Sequence, residues 1–229
     1  MALFLGLDIG TTSTIGILID DAGKTLVVVS RPVTLYSQFA NWAEEDTDEW
    51  WRNAGEIVRE LIDRTSVDAG KISGVGVTGM LPAVILVDES GIPLRRSIQQ
   101  NDARAVDELD VLRRSMDEND FVRLTGTGYS QQLIGPKITW LRKREPETFQ
   151  KARYVMGASD YIISRLTSTF QVEHNWALES GLVNLFTGQY EDRLLESAQI
   201  DPWLLPPIRK SHEIVGTITP AAAAHLGIS

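Results

Sequence analysis

Leu3-Phe4-Leu5-Gly6-Leu7-Asp8-Ile9-Gly10-Thr11-Thr12-Ser13-Thr14-Ile15-Gly16-Ile17-Leu18-Ile19 opens the chain with two apolar runs parted by a short polar turn. A third run, Leu26-Val27-Val28-Val29, follows Asp20-Asp21-Ala22-Gly23-Lys24. Short runs rich in Val, Ile and Leu, bounded by Gly, Asp and Thr, predict strands, and the Asp-Ala-Gly stretch predicts a hairpin. The N-terminus therefore reads as three consecutive antiparallel strands, Leu3 to Ile9, Ile15 to Ile19 and Leu26 to Val29.

Beyond them the periodicity changes. Trp50, Ala54, Ile57, Val58, Leu61 and Ile62 recur at helical spacing, predicting a helix over Asp46 to Thr65 with acidic residues at its start. Ile72 to Val77 and Val84 to Val87 predict strands around a turn at Gly79 to Pro82. Further helices are predicted over Asp102 to Met116, Pro136 to Lys143, Ser159 to Leu166 (with Ser159 as N-cap) and Arg193 to Ala198. Strands are expected at Arg153 to Met156 and Leu182 to Phe186, and a short strand then a helix from Pro220 within Ile214 to Gly227. Strands first, then mixed strand and helix, make the fold class α/β.

Placement decides how Asp8 to Ser13 is read. A Walker loop needs Gly-x-x-x-x-Gly-Lys-Ser/Thr before a helix, and a dinucleotide loop needs Gly-x-Gly-x-x-Gly. Neither pattern is present. A hairpin tip instead offers Gly10 for close backbone approach and Thr11 and Thr12 as donors to phosphate oxygens. Asp8, a hard oxygen ligand, suits Mg²⁺ directly or through water, and a carboxylate beside a polyphosphate needs such a cation.

Bulk composition narrows the partners. With 229 residues and 43% hydrophobic content the chain can bury a sizeable core, and no apolar stretch is long enough to cross a bilayer. A net charge of −9 argues against a nucleic-acid surface. There is no cysteine, and His174, His212 and His225 are too scattered for common zinc motifs. These features favour a cytoplasmic protein without membrane or nucleic-acid partners.

Leu5-Gly6-Leu7-Asp8-Ile9-Gly10-Thr11-Thr12-Ser13 resembles the first phosphate motif of the FGGY carbohydrate kinases, in the actin, hexokinase and heat-shock-70 ATPase superfamily. Other resemblances run in family order along nearly the whole chain. They are Asn41-Trp42-Ala43-Glu44-Glu45-Asp46 with Trp50-Trp51, then Gly74 to Met80 with Val84 to Asp88, then Gln100-Asn101-Asp102-Ala103-Arg104. Pro136-Lys137-Ile138-Thr139-Trp140-Leu141 and Asp160-Tyr161-Ile162-Ile163-Ser164-Arg165-Leu166-Thr167 complete the set. The resemblance implies an RNase-H-like (actin-like ATPase) domain, a mixed sheet opened by three antiparallel strands with flanking helices. It implies phosphoryl transfer from Mg·ATP to a hydroxyl of a ketose such as xylulose by in-line displacement. Asp8, Gly10, Thr11, Thr12 and Ser13 would handle nucleotide phosphate, with Asp8 on the metal; Met80, Leu81, Pro82, Asn101, Asp102 and Arg104 would face the sugar. Asp102 would accept hydrogen bonds from two sugar hydroxyls. In such kinases the general base and the adenine-binding domain follow the N-terminal domain, to which residues 1–229 would correspond. The expectation is a domain that turns over little by itself and can self-associate into a homodimer through apolar surface.

Two departures bear on substrate. Met80-Leu81-Pro82-Ala83 stands where xylulose kinases carry Gln-Met-His-Gly, so Pro82 replaces a donor histidine, and Gln100 replaces a tryptophan. A polyol or aldonic acid, or a non-catalytic sugar- or nucleotide-sensing role, are the alternatives. Among the remaining polar residues, Glu44-Glu45-Asp46 reads as a solvated run before a helix and Lys137 as a surface or cleft lysine. Trp50 reads as core.

Overall fold

The computed structural model describes residues 2–228. The N-terminal runs form β1 (Leu3–Ile9), β2 (Ser13–Asp20) and β3 (Thr25–Pro32), an antiparallel meander in which Ile9 lies opposite Thr14 and Leu3 opposite Asp20. Side-chain alternation sends Leu3, Leu5, Leu7, Ile9, Thr14 and Leu18 to one buried face.

After β4 (Leu35–Tyr36) and β5 (Glu44–Glu45), α1 (Thr47–Thr65) crosses that face. Asp46 caps it by accepting from the Asp48 N–H at 3.0 Å, and Ser66 in the left-handed region closes it. Trp50, Ala54, Ile57, Val58 and Leu61 are buried against the sheet. The helix rests directly on the β2 backbone at Gly16, where an added Cβ would lie 2.2 Å from Ile57 Cγ2. α1 thereby carries the chain to β6 (Ile72–Gly79), which pairs parallel with β1. The sheet order is β3-β2-β1-β6, as the sequence predicts for a mixed sheet opened by three antiparallel strands.

The remaining elements are shorter. They run β7 (Ile85–Val87), β8 (Ser97–Ile98), α2 (Val106–Ser115), α3 (Glu118–Thr125), α4 (Ile134–Arg144), α5 (Pro146–Phe149), β9 (Tyr154–Met156) and α6 (Ala158–Thr167). Then come β10 (Val172–Glu173), α7 (His174–Glu179), β11 (Val183–Asn184), β12 (Gln189–Tyr190), α8 (Asp192–Ala198), β13 (Ile208–Arg209) and α9 (Pro220–Leu226). β4, β5 and β8 make a small sheet, and β7 pairs antiparallel with β9.

Two apolar cores result. One joins the main sheet to α1, α6 and α9; the other gathers α2, α3, α4, α7 and α8 around Phe121, Ile138 and Trp176. They meet at β7, whose Ile85 and Val87 point into the first and whose Leu86 points into the second. The last helix is clasped to the first. The His225 ring stacks on Trp51 at 4.2 Å, its Nε2 lies 2.9 Å from the Trp51 carbonyl, and Arg59 donates to the His225 carbonyl.

Several boundaries differ from the sequence reading. α2 starts at Val106 rather than Asp102, because Asp102 is engaged elsewhere. α4 starts at Ile134, before Pro136, whose missing N–H costs nothing in a first turn. Gly157, not Ser159, is the N-cap of α6, and Asp160 reaches back to its N–H at 3.1 Å. Residues 214–219 form no regular strand, and α3 had no expectation attached to it.

Candidate functional site

The Asp8 hairpin is tight. The Gly10 N–H donates to the Ser13 carbonyl at 3.0 Å, and a Cβ at Gly10 would sit 3.0 Å from that same oxygen. Asp8 is half-buried at the end of β1, between Ile15 and Thr78 of the neighbouring strands. Among the described residues, no donor or cation partners its carboxylate, and no other group spends the Thr11 and Thr12 N–H or hydroxyl groups. A carboxylate and several donors left unpaired at a turn suit a magnesium-bound phosphate. No cluster of three metal-ligating side chains occurs among the described residues, so Asp8 would bind Mg²⁺ with water and phosphate oxygens completing the shell.

β6 delivers the next segment beside this turn, where the Met80 N–H donates to the Ile9 carbonyl at 2.8 Å. Met80 and Leu81 are half-buried, while Pro82 is buried behind a cis Leu81–Pro82 peptide. Val84 and Ile98 exchange two backbone hydrogen bonds of 2.9 Å, which place residues 99–104 one strand further on. The structure thus brings Asp8 to Ser13 directly against Met80, and Asn101 to Arg104 next to that loop's exit. Asn101 is exposed there.

The family model for the FGGY carbohydrate kinases, N-terminal domain, matches residues 3–229. The chain belongs to that family. This FGGY domain is 43% identical to a xylulose kinase from Rhodospirillum rubrum of known structure, covering 99% of this chain and 46% of that one with a TM-score of 0.94. It is 31% identical to the L-xylulose/3-keto-L-gulonate kinase of Escherichia coli K12, covering 98% of this chain and 46% of the relative. A gluconate kinase structure from Lactobacillus acidophilus superposes with a TM-score of 0.91 at 27% identity, over 100% of this chain and 46% of that one. The FGGY domain spans 44–48% of the length of the curated relatives it matches. The fold is that of the actin-like ATPases, as the resemblance implied.

The polar residues of the Asn101–Arg104 loop behave differently from those of the hairpin. Asp102 was expected to present its carboxylate to sugar, but it is 1% exposed and its oxygens are occupied. Oδ1 accepts from the Arg104 N–H (3.0 Å) and Nε (2.9 Å); Oδ2 accepts from the Ala43 N–H (2.6 Å) and Arg104 Nη2 (2.7 Å). Arg104, also expected to face sugar, has a fully buried side chain that pairs with Glu44 at 2.8 Å and stacks on the Trp42 ring at 3.7 Å. Glu44 also pairs with Arg95, which reaches Glu145 at 3.2 Å. Neither Glu44 nor Glu45 is part of a solvated run: both are buried, because β5 sits between β4 and β8.

Glu45 accepts from the Trp50 indole N–H at 2.9 Å, and its other oxygen has no partner. Burial pushes its carboxyl up to about 7. Lys137 is neither a surface nor a cleft residue. It is fully buried, donates to the Gln99 carbonyl at 3.0 Å, and burial lowers it to about 8 against the pull of Asp102. Asp160 is buried with three N–H donors around it, and burial still pushes its carboxyl up to about 7. Sequence reasoning missed Arg95, Glu145 and Trp176 as parts of this frame. Their partners lie 50 or more residues away in the chain, and no local pattern reports such pairings.

Proposed function

We propose that this domain supplies the phosphate-contacting and sugar-contacting side of a kinase that transfers the γ-phosphoryl group of Mg·ATP to a hydroxyl of a small ketose of the xylulose type. The observation that carries the reading is the Asp8 carboxylate and the Thr11 and Thr12 donors, unpartnered among the described residues and joined by the Ile9–Met80 hydrogen bond of 2.8 Å to the loop that holds Leu81 and Pro82. Asp8 would hold Mg²⁺ at the end of β1, and the Thr11 and Thr12 donors would hold phosphate oxygens. When bound, the cation neutralises charge on the transferring group, and the chain's own part is to position phosphate and acceptor in line. Met80, Leu81 and Asn101 would meet the sugar. Asp102 and Arg104 keep the loop in place from behind it.

An aldonate substrate has support from the gluconate kinase likeness and from Pro82, but its carboxylate needs a cation. Of the cations near this loop, Arg104 and Lys137 have fully buried side chains and Arg95 a largely buried one, and all three are engaged within the domain, whereas Lys210 lines the pocket that reaches Leu81. A neutral ketose or polyol fits better. The general base and the adenine contacts are assigned to the half of the kinase that relatives carry in addition to this region. The domain alone is accordingly expected to bind ligand and turn over little.

Thermal shift with xylulose, xylitol and gluconate, each with and without Mg²⁺ and a nucleotide, tests the reading. A ligand at 100 times its dissociation constant stabilises by about 2.7 kcal/mol. Asp8→Asn should abolish the magnesium-dependent part of the nucleotide response and leave the sugar response in place. Stabilisation by gluconate alone would transfer the assignment to aldonates, and a full magnesium response in Asp8→Asn would remove Asp8 from the metal.

A further inference from the structure

The Met80–Ala83 loop leaves an open-edged strand, β6, and enters a fully buried one, β7. Its N-terminal end is tied to Ile9. At its other end a side chain does the work: the Trp176 indole N–H donates to the Ala83 carbonyl at 2.8 Å, across 93 residues of sequence. Trp176 is 0% exposed, so it cannot touch a ligand in the cleft.

Trp176 is itself set by neighbours that leave little freedom. Asp160 accepts from the Glu173 N–H at 2.8 Å, and the Glu173 carboxylate in turn accepts from the N–H groups of Asn175 (2.7 Å) and Trp176 (3.3 Å), capping α7. Against the indole lies Gly157, where an added Cβ would be 2.5 Å from Trp176 Cδ1 and 2.9 Å from Nε1. Gly157 thus leaves the space that Trp176 occupies. The line from Asp160 through Glu173 and Trp176 to Ala83 fixes the loop from the side away from the phosphate hairpin.

We propose that Trp176 is a positioning residue for the sugar: its indole N–H sets the Leu81–Ala83 backbone relative to the Asp8 hairpin, and so tunes sugar affinity but not nucleotide affinity. The proposal rests on the sugar reading given above, and its test separates the two. Trp176→Phe keeps most of the ring and removes the donor. Calorimetry on the whole 229-residue chain should show xylulose binding weakened about tenfold, the equivalent of one neutral hydrogen bond, with Mg·ADP binding within about twofold of wild type. Gly157→Ala, which forces a methyl against the indole, should give the same split.

Leu195→Ala is the control, a cavity on α8 in the same core but away from the loop. It should leave both affinities within about twofold while lowering the melting temperature at least as much. Amide exchange adds a readout that needs no sugar. Residues 80–84 should exchange about tenfold faster in Trp176→Phe and at wild-type rates in Leu195→Ala. Unchanged xylulose affinity in Trp176→Phe, or an equal loss in Leu195→Ala, overturns the proposal. If the wild type binds no xylulose, the substrate reading fails, and the exchange rates alone decide whether Trp176 holds the loop.

Discussion

The two sides of the site treat their polar residues in opposite ways. On the hairpin side a regular sheet packed by α1 holds the backbone, and the Asp8 carboxylate and the Thr11 and Thr12 donors have no partner among the described residues. On the loop side short elements cannot hold themselves, and Asp102, Arg104, Glu44, Arg95 and Glu145 are consumed in holding them. A motif residue is available to a ligand only where the backbone around it is secured by other means.

Stability measurements can break that contrast. Asp102→Ala leaves the buried Arg104 guanidinium with Glu44 as its one carboxylate and the Ala43 N–H without its acceptor, and should cost about 3 kcal/mol by chemical denaturation, whereas Asp8→Ala should stay within about 0.5 kcal/mol. Comparable losses at the two positions would erase the distinction between them.

Glu45 sharpens it through pH. Its folded-state carboxyl is raised to about 7 by burial, above an unfolded value near ~4.3. The folded state therefore holds a proton that the unfolded state has released across that window. The associated stability is fully present below about pH 4 and is lost as pH rises through about 7, by an amount on the order of 3–4 kcal/mol. Glu45→Gln keeps an acceptor for Trp50 and removes the buried charge, so the gap between melting temperatures at pH 5 and pH 8 should shrink, with the part that Asp160 contributes remaining. An unchanged pH profile would show that Glu45 is not the titrating group.

On the sheet side the equivalent weakness is steric. Gly16→Val should cost about 1–3 kcal/mol, because α1 must lift from β2 at Ile57, and it should do so equally at both pH values. The smallest effect belongs to the surface: Arg113→Ala breaks only the half-exposed pair with Asp110 at 3.1 Å and should change stability by less than about 0.5 kcal/mol.

The same division explains what could be read in advance. β1 and α1 carry clean periodicities and were legible nearly to their ends, as was the fate of Trp50, while β2 and β3 were legible as strands but run longer than their apolar cores. The Asp8 turn was legible as a tight turn between two strands. Around the second core the elements are as short as two residues, too short for a period to register, and α3 went unseen. Glu44 and Lys137 were misread, and the enclosure of Asp102 went unforeseen, for one reason. Their charges suggested solvent or ligand, and the partners that neutralise them sit on strands and helices far away in the chain.

The clasp between Trp51 and His225 has a bearing on how the domain is made. Residues 51–59 leave the ribosome more than 160 residues ahead of the ring that covers them. Throughout that interval α1 lacks the cover of α9, and the first core must wait, partly wetted, for it. Closure of that core depends on a contact of long sequence separation, which forms slowly, and a chaperone that shields α1 in the meantime would guard a step exposed to aggregation.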